Sequence, residues 1–300
     1  MYPVIEAGGV NYDAVCPSDY MIQKMKENDL LAELNFDNIP NVKNIDPQYM
    51  EMSKQFDPEN KYSVPYTWGT VGILYNTKLI EEKGLPVPTK WSDLWNPAYK
   101  GEILMQDSVR DAFMVALKKD GFSANSTDET ELQQAKQDLI DQKPLIQAYV
   151  IDQVRDKMIG GEAAIGVYYS GDAITMIDDN PDLAWVFPEE GSVLSVDCMA
   201  VPATSEHKEA AEMFINFMCE PDIGKANAEY IGYTTPMQKV WDILDEDLKY
   251  SEIAYPSEEV EAKEKVFTAL SDEVNNELDV KWSEMKSYDE GGSGVVFLML

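Results

Sequence analysis

The pattern of hydrophobic positions alternates between short apolar runs and longer amphipathic stretches. The apolar runs are almost uninterrupted, as is typical of strands in sheets that are covered on both faces. These predicted strands span residues 14–16, 71–75, 102–105, 163–169, 184–187 and 198–201. Because helical stretches separate them, we expect an α/β fold.

Helix starts are marked by side chains whose oxygen atoms can accept hydrogen bonds from free backbone N–H groups. Ser18, Asp107 or Ser108, and Ser257 stand at such positions. Two stripes of apolar residues at helical spacing are predicted to lie in the core. They comprise Ala210, Ala211, Met213, Phe214, Phe217 and Met218 in the first stripe, and Val274, Leu278, Trp282 and Met285 in the second.

The charge balance narrows the range of partners. The chain has 24 Lys and Arg residues against 55 Asp and Glu residues, which gives a formal net charge of −31. Such a surface repels phosphate backbones and anionic headgroups, so nucleic acid and membrane surfaces are expected to be poor partners. Small cations are expected to be favourable ones. The length of 300 residues is enough for one large or two ordinary domains.

The cysteine and histidine content argues against most metal and hydrolytic chemistry. Cys16, Cys198 and Cys219 are widely separated, lack the paired spacing of a zinc site, and are expected to be buried thiols. The single histidine, His207, would have to serve any Ser-His-Asp triad and lies in a polar stretch typical of a surface. We therefore predict no metal site, no cofactor and no catalytic residue.

Both ends of the chain carry patterns of their own. Residues 1–6 lack the basic region and the long apolar run of a secretory signal, so no signal peptide is expected in this chain. A glycine-rich joint at 291–294 precedes six apolar residues at 295–300, whereas a membrane span needs about 20. We expect a buried strand there, with a ragged chain end as the alternative.

Aromatic and acidic residues recur beside the predicted strands, where the residues that line a crevice in an α/β fold belong. They lie at residues 17–20, 107–111, 168–172 and 195–198, with more aromatic residues at 66–69 and 231–236. A desolvated ammonium group needs carboxylates to accept its hydrogens and electron-rich rings around its methylene groups. This combination predicts a receptor for a cation.

Each of these residues also has a purely structural interpretation. Ser108 and Asp111 stand three positions apart and could form a capping box. Asp197, at the start of a predicted strand, could be a turn residue, and Tyr233 could be an ordinary aromatic residue of a turn. Asp172 is expected to cap a helix. Both interpretations stay open at the level of single residues.

Several long segments resemble the spermidine/putrescine-binding proteins of ABC importers, which are two-lobed periplasmic solute receptors. The resemblance runs from Met1 to about Ser287 and is most specific at residues 56–70, 90–101, 107–113 and 228–236. These segments include Tyr66-Thr67-Trp68-Gly69 and Ile231-Gly232-Tyr233-Thr234-Thr235-Pro236. The resemblance implies a type II periplasmic-binding-protein fold with a ligand cleft between two lobes.

In this family, carboxylates hold the amines of the ligand and aromatic rings pack along its chain. The positions of this sequence that match the family's ligand residues are Ser18, Tyr20, Asp111, Tyr169, Asp197 and Tyr233. At three other positions the sequence departs from the family pattern, which implies an altered ligand preference. Ser108 replaces an acid of some members, Ser195 replaces a common stacking Trp, and Phe267 replaces a ligand Gln.

The resemblance also implies how the chain is organised. Lobe A is expected at residues 1–72 and 196–242, lobe B at 73–195 and 243–288, and a tail at 289–300. The family's first strand and the helix after it have no counterpart in the match. We therefore expect lobe A to lack a central strand, unless residues 295–300 fill that place as a permuted strand.

The implied function is capture of a polyamine, putrescine or spermidine, and its delivery to the permease of an ABC importer. The receptor is expected to be a monomer without enzymatic activity, located in the periplasm or tethered to the membrane at the cell surface. One alternative is a receptor for another small cationic solute, such as a thiamine-like compound or a metal. A second alternative is a truncated fragment of such a receptor that does not bind.

Overall fold

The computed structural model describes residues 1–263 and 265–288, in which helices and strands alternate along the chain. This arrangement confirms the predicted α/β class. The strands are β1 (Ser63–Asn76), β2 (Ile103–Gln106), β3 (Ile146–Val150), β4 (Ile165–Tyr169), β5 (Leu183–Val186), β6 (Val193–Ala200) and β7 (Lys265–Val266).

Most of the α-helices are short and lie between the strands. They are α1 (Tyr2–Glu6), α2 (Asp19–Glu27), α3 (Pro47–Ser53), α4 (Thr77–Lys83), α5 (Val109–Lys119), α6 (Glu129–Gln142), α7 (Gln153–Ile159), α8 (Ser170–Asp179), α9 (Lys208–Met218), α10 (Pro221–Ile231), α11 (Gln238–Ile243), α12 (Glu246–Lys249), α13 (Glu258–Glu261) and α14 (Asp272–Ser287). Short 3-10 helices occur at Phe36–Asn38, Pro40–Asn44, Trp91–Trp95, Pro97–Tyr99 and Lys143–Leu145.

The helix starts predicted at Ser18, Ser108 and Ser257 are confirmed, because these residues are the N-caps of α2, α5 and α13. Ser108 uses its side chain for this purpose, since its hydroxyl oxygen accepts a hydrogen bond from the backbone N–H of Asp111 at 3.4 Å. The side chains of Ser18 and Ser257 make no such cap bond.

The long strand β1 links the two parts of the sheet. The strands are ordered β3-β2-β4-β1-β6-β7, and β5 also pairs with β1. The first half of β1 pairs antiparallel with β6, and its second half pairs antiparallel with β4 and β5. The pairs β2·β3, β2·β4 and β6·β7 are parallel. Residues in the first half of β1 therefore lie beside β6, and residues in its second half lie beside β4 and β5.

The hydrophobic core follows the same division. A first cluster surrounds the first half of β1 and includes Trp68 and Val196. A second cluster packs α5, α6 and α14 against β2 and β4, and it contains Ile73, while Leu74 lies in a third, smaller cluster. Because neighbouring residues of a strand point to opposite faces, this half of β1 is covered on both faces, as its apolar run predicts.

The expectation that both apolar stripes lie in the core is only half right. On α14, Leu278 and Met285 are buried and the stripe is confirmed. On α9, Met213, Phe214 and Phe217 are 61%, 50% and 45% exposed. This helix buries its opposite side, where the Glu212 carboxylate accepts hydrogen bonds from the backbone N–H of Asn35 and the side-chain amide of Asn38. Of this predicted stripe Ala211 is buried and Met218 packs against the core, whereas the prediction is wrong for the exposed members.

The thiols and the single imidazole are distributed as follows. Cys198 and Cys219 are buried as expected, but Cys16 is exposed. The buried neighbours Val15 and Pro17 point to the other face of the extended segment, which explains the difference. His207 is exposed as predicted.

Two further findings concern the ends of the chain and membranes. The strand predicted at 295–300 and the joint before it lie outside the described residues. Among the helices within residues 1–263 and 265–288, none combines the length and the hydropathy that a membrane crossing requires.

Candidate ligand-binding site

The six residues predicted to bind the ligand meet where β1 passes from the first core cluster to the second. Ser18 and Tyr20 begin α2, Asp111 lies in the first turn of α5, Tyr169 ends β4, Asp197 lies in β6 and Tyr233 follows α10. Strand pairing brings them together, because β1 places Thr67 opposite Asp197 and Val71 opposite Tyr169. Ser18 forms a β-bridge with Asp197.

Asp111 and Tyr169 form the most direct contact among the six. The Tyr169 hydroxyl donates a hydrogen bond to Oδ2 of Asp111 at 2.9 Å. Asp111 is buried, and burial raises the pKa of its carboxyl although the hydroxyls of Ser108 and Tyr169 oppose this shift. The cap formed by Ser108 on the backbone of Asp111 is thus real, and the Asp111 carboxylate also has the Tyr169 hydroxyl as a partner.

Asp197 is a strand residue and not a turn residue, which corrects the structural interpretation considered for it. The strand β6 begins at Val193 instead of at 198, so Asp197 lies in its interior. Burial raises the pKa of Asp197 to about 6, and a hydrogen bond with the side chain of Thr67 partly opposes the shift. A carboxylate in this environment is stabilised by any cation that reaches it.

The ring of Tyr20 is packed against a charged group that sequence reasoning missed. The guanidinium of Arg110 lies 5.4 Å from the ring centroid of Tyr20 and 4.5 Å from that of Phe267. It also donates hydrogen bonds to the carbonyl oxygen of Thr268 and to Oδ1 of Asn125. Arg110 therefore ties α5 to the segment after β7 beside the site, and Phe267 supplies an aromatic surface there.

Asp19 lies in one of the predicted crevice segments but was not among the six predicted ligand residues. Its side chain is buried and accepts hydrogen bonds from the backbone N–H of Tyr20 at 2.7 Å and of Val196 at 3.1 Å. Burial nevertheless raises its pKa to about 7. These bonds fix the start of α2 against β6, where Ser18 forms its bridge with Asp197.

Tyr233 is held by Asp172, for which the sequence predicted a helix cap. The hydroxyl of Tyr233 donates a hydrogen bond to Oδ2 of Asp172 at 2.7 Å. Asp172 lies in the first turn of α8, whose N-cap is Tyr169, so the cap prediction is wrong. Burial raises the pKa of Tyr233, and the charges of Asp172 and Asp197 raise it further.

The electrostatic effects among the six residues show that they share one environment. The charge of Asp111 raises the pKa of both Tyr20 and Tyr169, in addition to burial. The charge of Asp197 acts on Tyr233. Partly buried carboxylates among phenol rings can accept ammonium hydrogens and cover methylene groups. Within the described ranges 1–263 and 265–288, His, Cys, Asp and Glu side chains form no group of three or more that could hold a metal ion.

Solved structures of bacterial receptors share this fold. A putative spermidine/putrescine ABC transporter protein from Listeria monocytogenes matches with a TM-score of 0.89 and 36% identity, over 96% of this chain and 88% of that one. A spermidine/putrescine ABC transporter substrate-binding protein from Streptococcus pneumoniae matches with a TM-score of 0.83 and 37% identity, over 95% of this chain and 87% of that one. The fold is thus that of the two-lobed periplasmic binding proteins, as predicted.

Sequence comparison identifies the family. The model of the bacterial extracellular solute-binding proteins matches residues 15–256. The spermidine/putrescine-binding periplasmic proteins of Salmonella typhimurium and Escherichia coli are 35% identical over 252 and 248 residues, which cover 84% and 83% of this chain and 71% and 70% of those proteins. This chain belongs to the bacterial extracellular solute-binding protein family, and the predicted resemblance is confirmed.

Proposed function

We propose that this chain captures a polyamine, putrescine or spermidine, and delivers it to the permease of an ABC importer. The observation that carries the proposal is the meeting of Asp111 and Asp197, both with raised pKa values, with the rings of Tyr20, Tyr169 and Tyr233. The names of the relatives support the same ligand class.

The chemistry of the two carboxylates suits a molecule with separated amines. Desolvation makes the charged forms of Asp111 and Asp197 unfavourable, and a protonated amine beside each compensates for the lost hydration. The tyrosine rings cover the methylene groups between the amines and exclude water. The proposed function is ligand binding without catalysis, since no covalent bond of the ligand is formed or broken.

The ligand closes the two lobes on each other, and the closed form is what the permease recognises. The lobes divide at about residues 72 and 195. The last boundary, predicted from the sequence after residue 242, is placed instead after Ala254, because Leu244, Leu248 and Ala254 pack in the first core cluster. The receptor works outside the cytoplasm, in keeping with its periplasmic relatives, and we expect it to act as a monomer.

Thermal unfolding and titration calorimetry with putrescine, spermidine, thiamine and lysine test the proposal. A ligand that binds only the folded state raises the apparent melting temperature. We expect putrescine or spermidine to raise it in a concentration-dependent manner and to give a saturable heat of binding, with no effect of lysine. Stabilisation by thiamine and not by polyamines, or by none of the compounds, would overturn the polyamine assignment.

A further inference from the structure

A second cavity, called the rear cavity here, lies against Trp68 of β1. Its volume is about 460 Å³, which is within the range of sites that hold small molecules. Thr67 pairs with Asp197, and neighbouring side chains of a strand point to opposite faces, so Trp68 faces the other side of the sheet. The described residues that line the rear cavity include none of the six ligand residues. A molecule bound there would therefore leave the candidate ligand site free.

The walls of the rear cavity combine carboxylates with amides. Glu258 and Glu261 come from α13, whereas Gln48 and Gln55 come from α3 and the turn after it. Among the lining residues that the structure describes, none is Lys or Arg. The cavity therefore carries a negative charge, which favours a cation.

The acids of α13 share one environment with the phenol of Tyr49, which also lines the rear cavity. Burial raises the pKa of Glu261, and the charge of Glu258 raises it further. Burial also raises the pKa of Tyr49, and the charge of Glu261 adds to this shift. A cation beside Glu258 and Glu261 would relieve the repulsion between the two carboxylates.

Trp68 supplies a second and independent indication of a ligand. Its side chain is 2% exposed, and its buried indole N–H has no hydrogen-bond partner within residues 1–263 and 265–288. Buried polar groups are nearly always paired, and an indole N–H can only donate. The ring centroids of Trp68 and Tyr49 lie 5.8 Å apart, so the two rings form a common aromatic wall. The best ligand thus carries an oxygen acceptor in addition to its positive charge.

We propose that the rear cavity is a second binding site, which takes a small hydroxylated amine of the amino-sugar class. Glu258 and Glu261 accept the hydrogens of the ammonium group. The amides of Gln48 and Gln55 both donate and accept, as hydroxyl groups require, and one hydroxyl oxygen accepts the hydrogen of the Trp68 indole. This inference does not rest on the proposed function, because it uses none of the six ligand residues.

NMR titrations that observe glucosamine, glucose and cyclohexylamine test the two chemical requirements separately. Glucose lacks the ammonium group of glucosamine, and cyclohexylamine keeps a charged amine on a six-membered ring but lacks the hydroxyl groups. At a slightly acidic pH, at which the amines are protonated, we expect saturable binding of glucosamine and binding of the other two that is weaker by about threefold or more. No saturable binding of glucosamine, or equal binding of either of the other compounds, would overturn the proposal.

Variants of the chain locate the binding, with Glu261→Gln compared against Glu259→Gln. Glu259 is exposed on the same helix and does not line the rear cavity, so the control removes the same charge. We expect Glu261→Gln to weaken glucosamine binding by about threefold and the control to leave it unchanged.

A second variant, Trp68→Phe, keeps an aromatic ring and removes the indole N–H. It should weaken glucosamine binding by roughly three- to tenfold and leave cyclohexylamine binding unchanged. Because Trp68 belongs to the core, melting temperatures check the folding of this variant, whereas Glu261→Gln tests the site at an exposed residue.

Asp197→Asn distinguishes the rear cavity from the candidate ligand site. We expect this variant to bind glucosamine as the wild type does, since Asp197 lies on the other face of the sheet. A loss in Asp197→Asn, or unchanged affinity in either Glu261→Gln or Trp68→Phe, would overturn the assignment to the rear cavity. Failure of polyamines to bind the wild type would overturn the proposed function and leave this result unaffected.

Discussion

At the scale of single residues, three acids at the site, the buried Asp19 and Asp111 and the half-buried Asp197, have different partners. Asp19 accepts hydrogen bonds from two backbone N–H groups. Asp111 instead has the hydroxyl partners Ser108 and Tyr169, and Asp197 has the hydroxyl partner Thr67. A hydroxyl can rotate towards another acceptor and a carboxylate can accept about four hydrogen bonds, so both acids keep capacity for the hydrogens of an ammonium group. Asp19 is therefore part of the framework, whereas Asp111 and Asp197 are suited to the ligand.

We expect Asp197→Asn to weaken binding of putrescine and spermidine more than Tyr169→Ala does. Removing the charge from a buried amine–carboxylate contact costs about 2–5 kcal/mol of binding free energy. Loss of one ring face costs about 0.5–2 kcal/mol. Titration calorimetry on both variants measures the difference, with melting temperatures as a check on folding. Unchanged affinity in Asp197→Asn would contradict the assignment of this carboxylate.

A second residue-scale prediction concerns stability and pH. Burial raises the pKa of Asp19 to about 7, so between its unfolded and folded pKa values the folded chain binds more protons than the unfolded chain. The contribution of Asp19 is therefore most favourable at low pH, and it is lost as the pH rises through about 7, with a slope of up to about 1.4 kcal/mol per pH unit.

Asp19→Asn removes this titration, and urea unfolding at a series of pH values should show a flatter decline of the unfolding free energy from about pH 4 to pH 7. Asp197, with a pKa of about 6, retains its own contribution in the same window. The exposed Asp178→Asn is the control and should keep the wild-type slope. Identical slopes in Asp19→Asn and the wild type would show that the Asp19 carboxyl does not titrate in this way.

At the scale of elements, apolar runs located most strands but not their full extent. The predicted strands at 71–75, 102–105, 163–169, 184–187 and 198–201 overlap β1, β2, β4, β5 and β6. The first half of β1 and all of β3 were not predicted, because residues such as Thr67 and Gln147 interrupt the apolar pattern. In β1 the interrupting Thr67 pairs with Asp197 of β6. Residues 14–16 form only the single bridge from Val15 to Ala200.

The site was predictable only as far as family resemblance reached. The six positions that the resemblance implied do come together, because strand pairing and helix starts carry them to the middle of β1. Asp172, Arg110 and Asp19 were not among them, since their partners lie far away in sequence: Tyr233, Thr268 and Val196. Local spacing carries no information on such contacts, and a cap is then the default interpretation of an acid near a helix start.

Helix α9 gives a prediction at this scale, because its apolar residues lie on both sides of the helix. Phe214 is 50% exposed, whereas Ile215 is fully buried at 0%. Ile215→Ala should destabilise the fold by about 2–5 kcal/mol, the usual cost of such a cavity. Phe214→Ser should change the unfolding free energy by less than about 1 kcal/mol, since little burial and a modest helix propensity are lost. Chemical denaturation measures both, and a larger loss in Phe214→Ser would mean that this face is covered.

At the scale of the whole molecule, the net charge of −31 acts on folding and on binding in opposite directions. Like charges spread over the surface repel one another and destabilise the compact state. The same excess of acids attracts a polycation and increases its local concentration near the site. The surface that favours capture of the ligand therefore reduces the stability of the empty receptor.

Added salt separates these two effects, because it screens both. Raising sodium chloride from about 0.05 to 0.5 M shortens the Debye length to a few ångströms, so the melting temperature of the ligand-free chain should rise while polyamine affinity falls. The fall should be steeper for spermidine than for putrescine, since each additional ammonium group adds a screened interaction. Calorimetric scans and titrations along the same salt series measure both quantities. Affinity that is independent of salt would mean that apolar contacts dominate binding, and it would contradict the proposal that Asp111 and Asp197 hold the amines of the ligand.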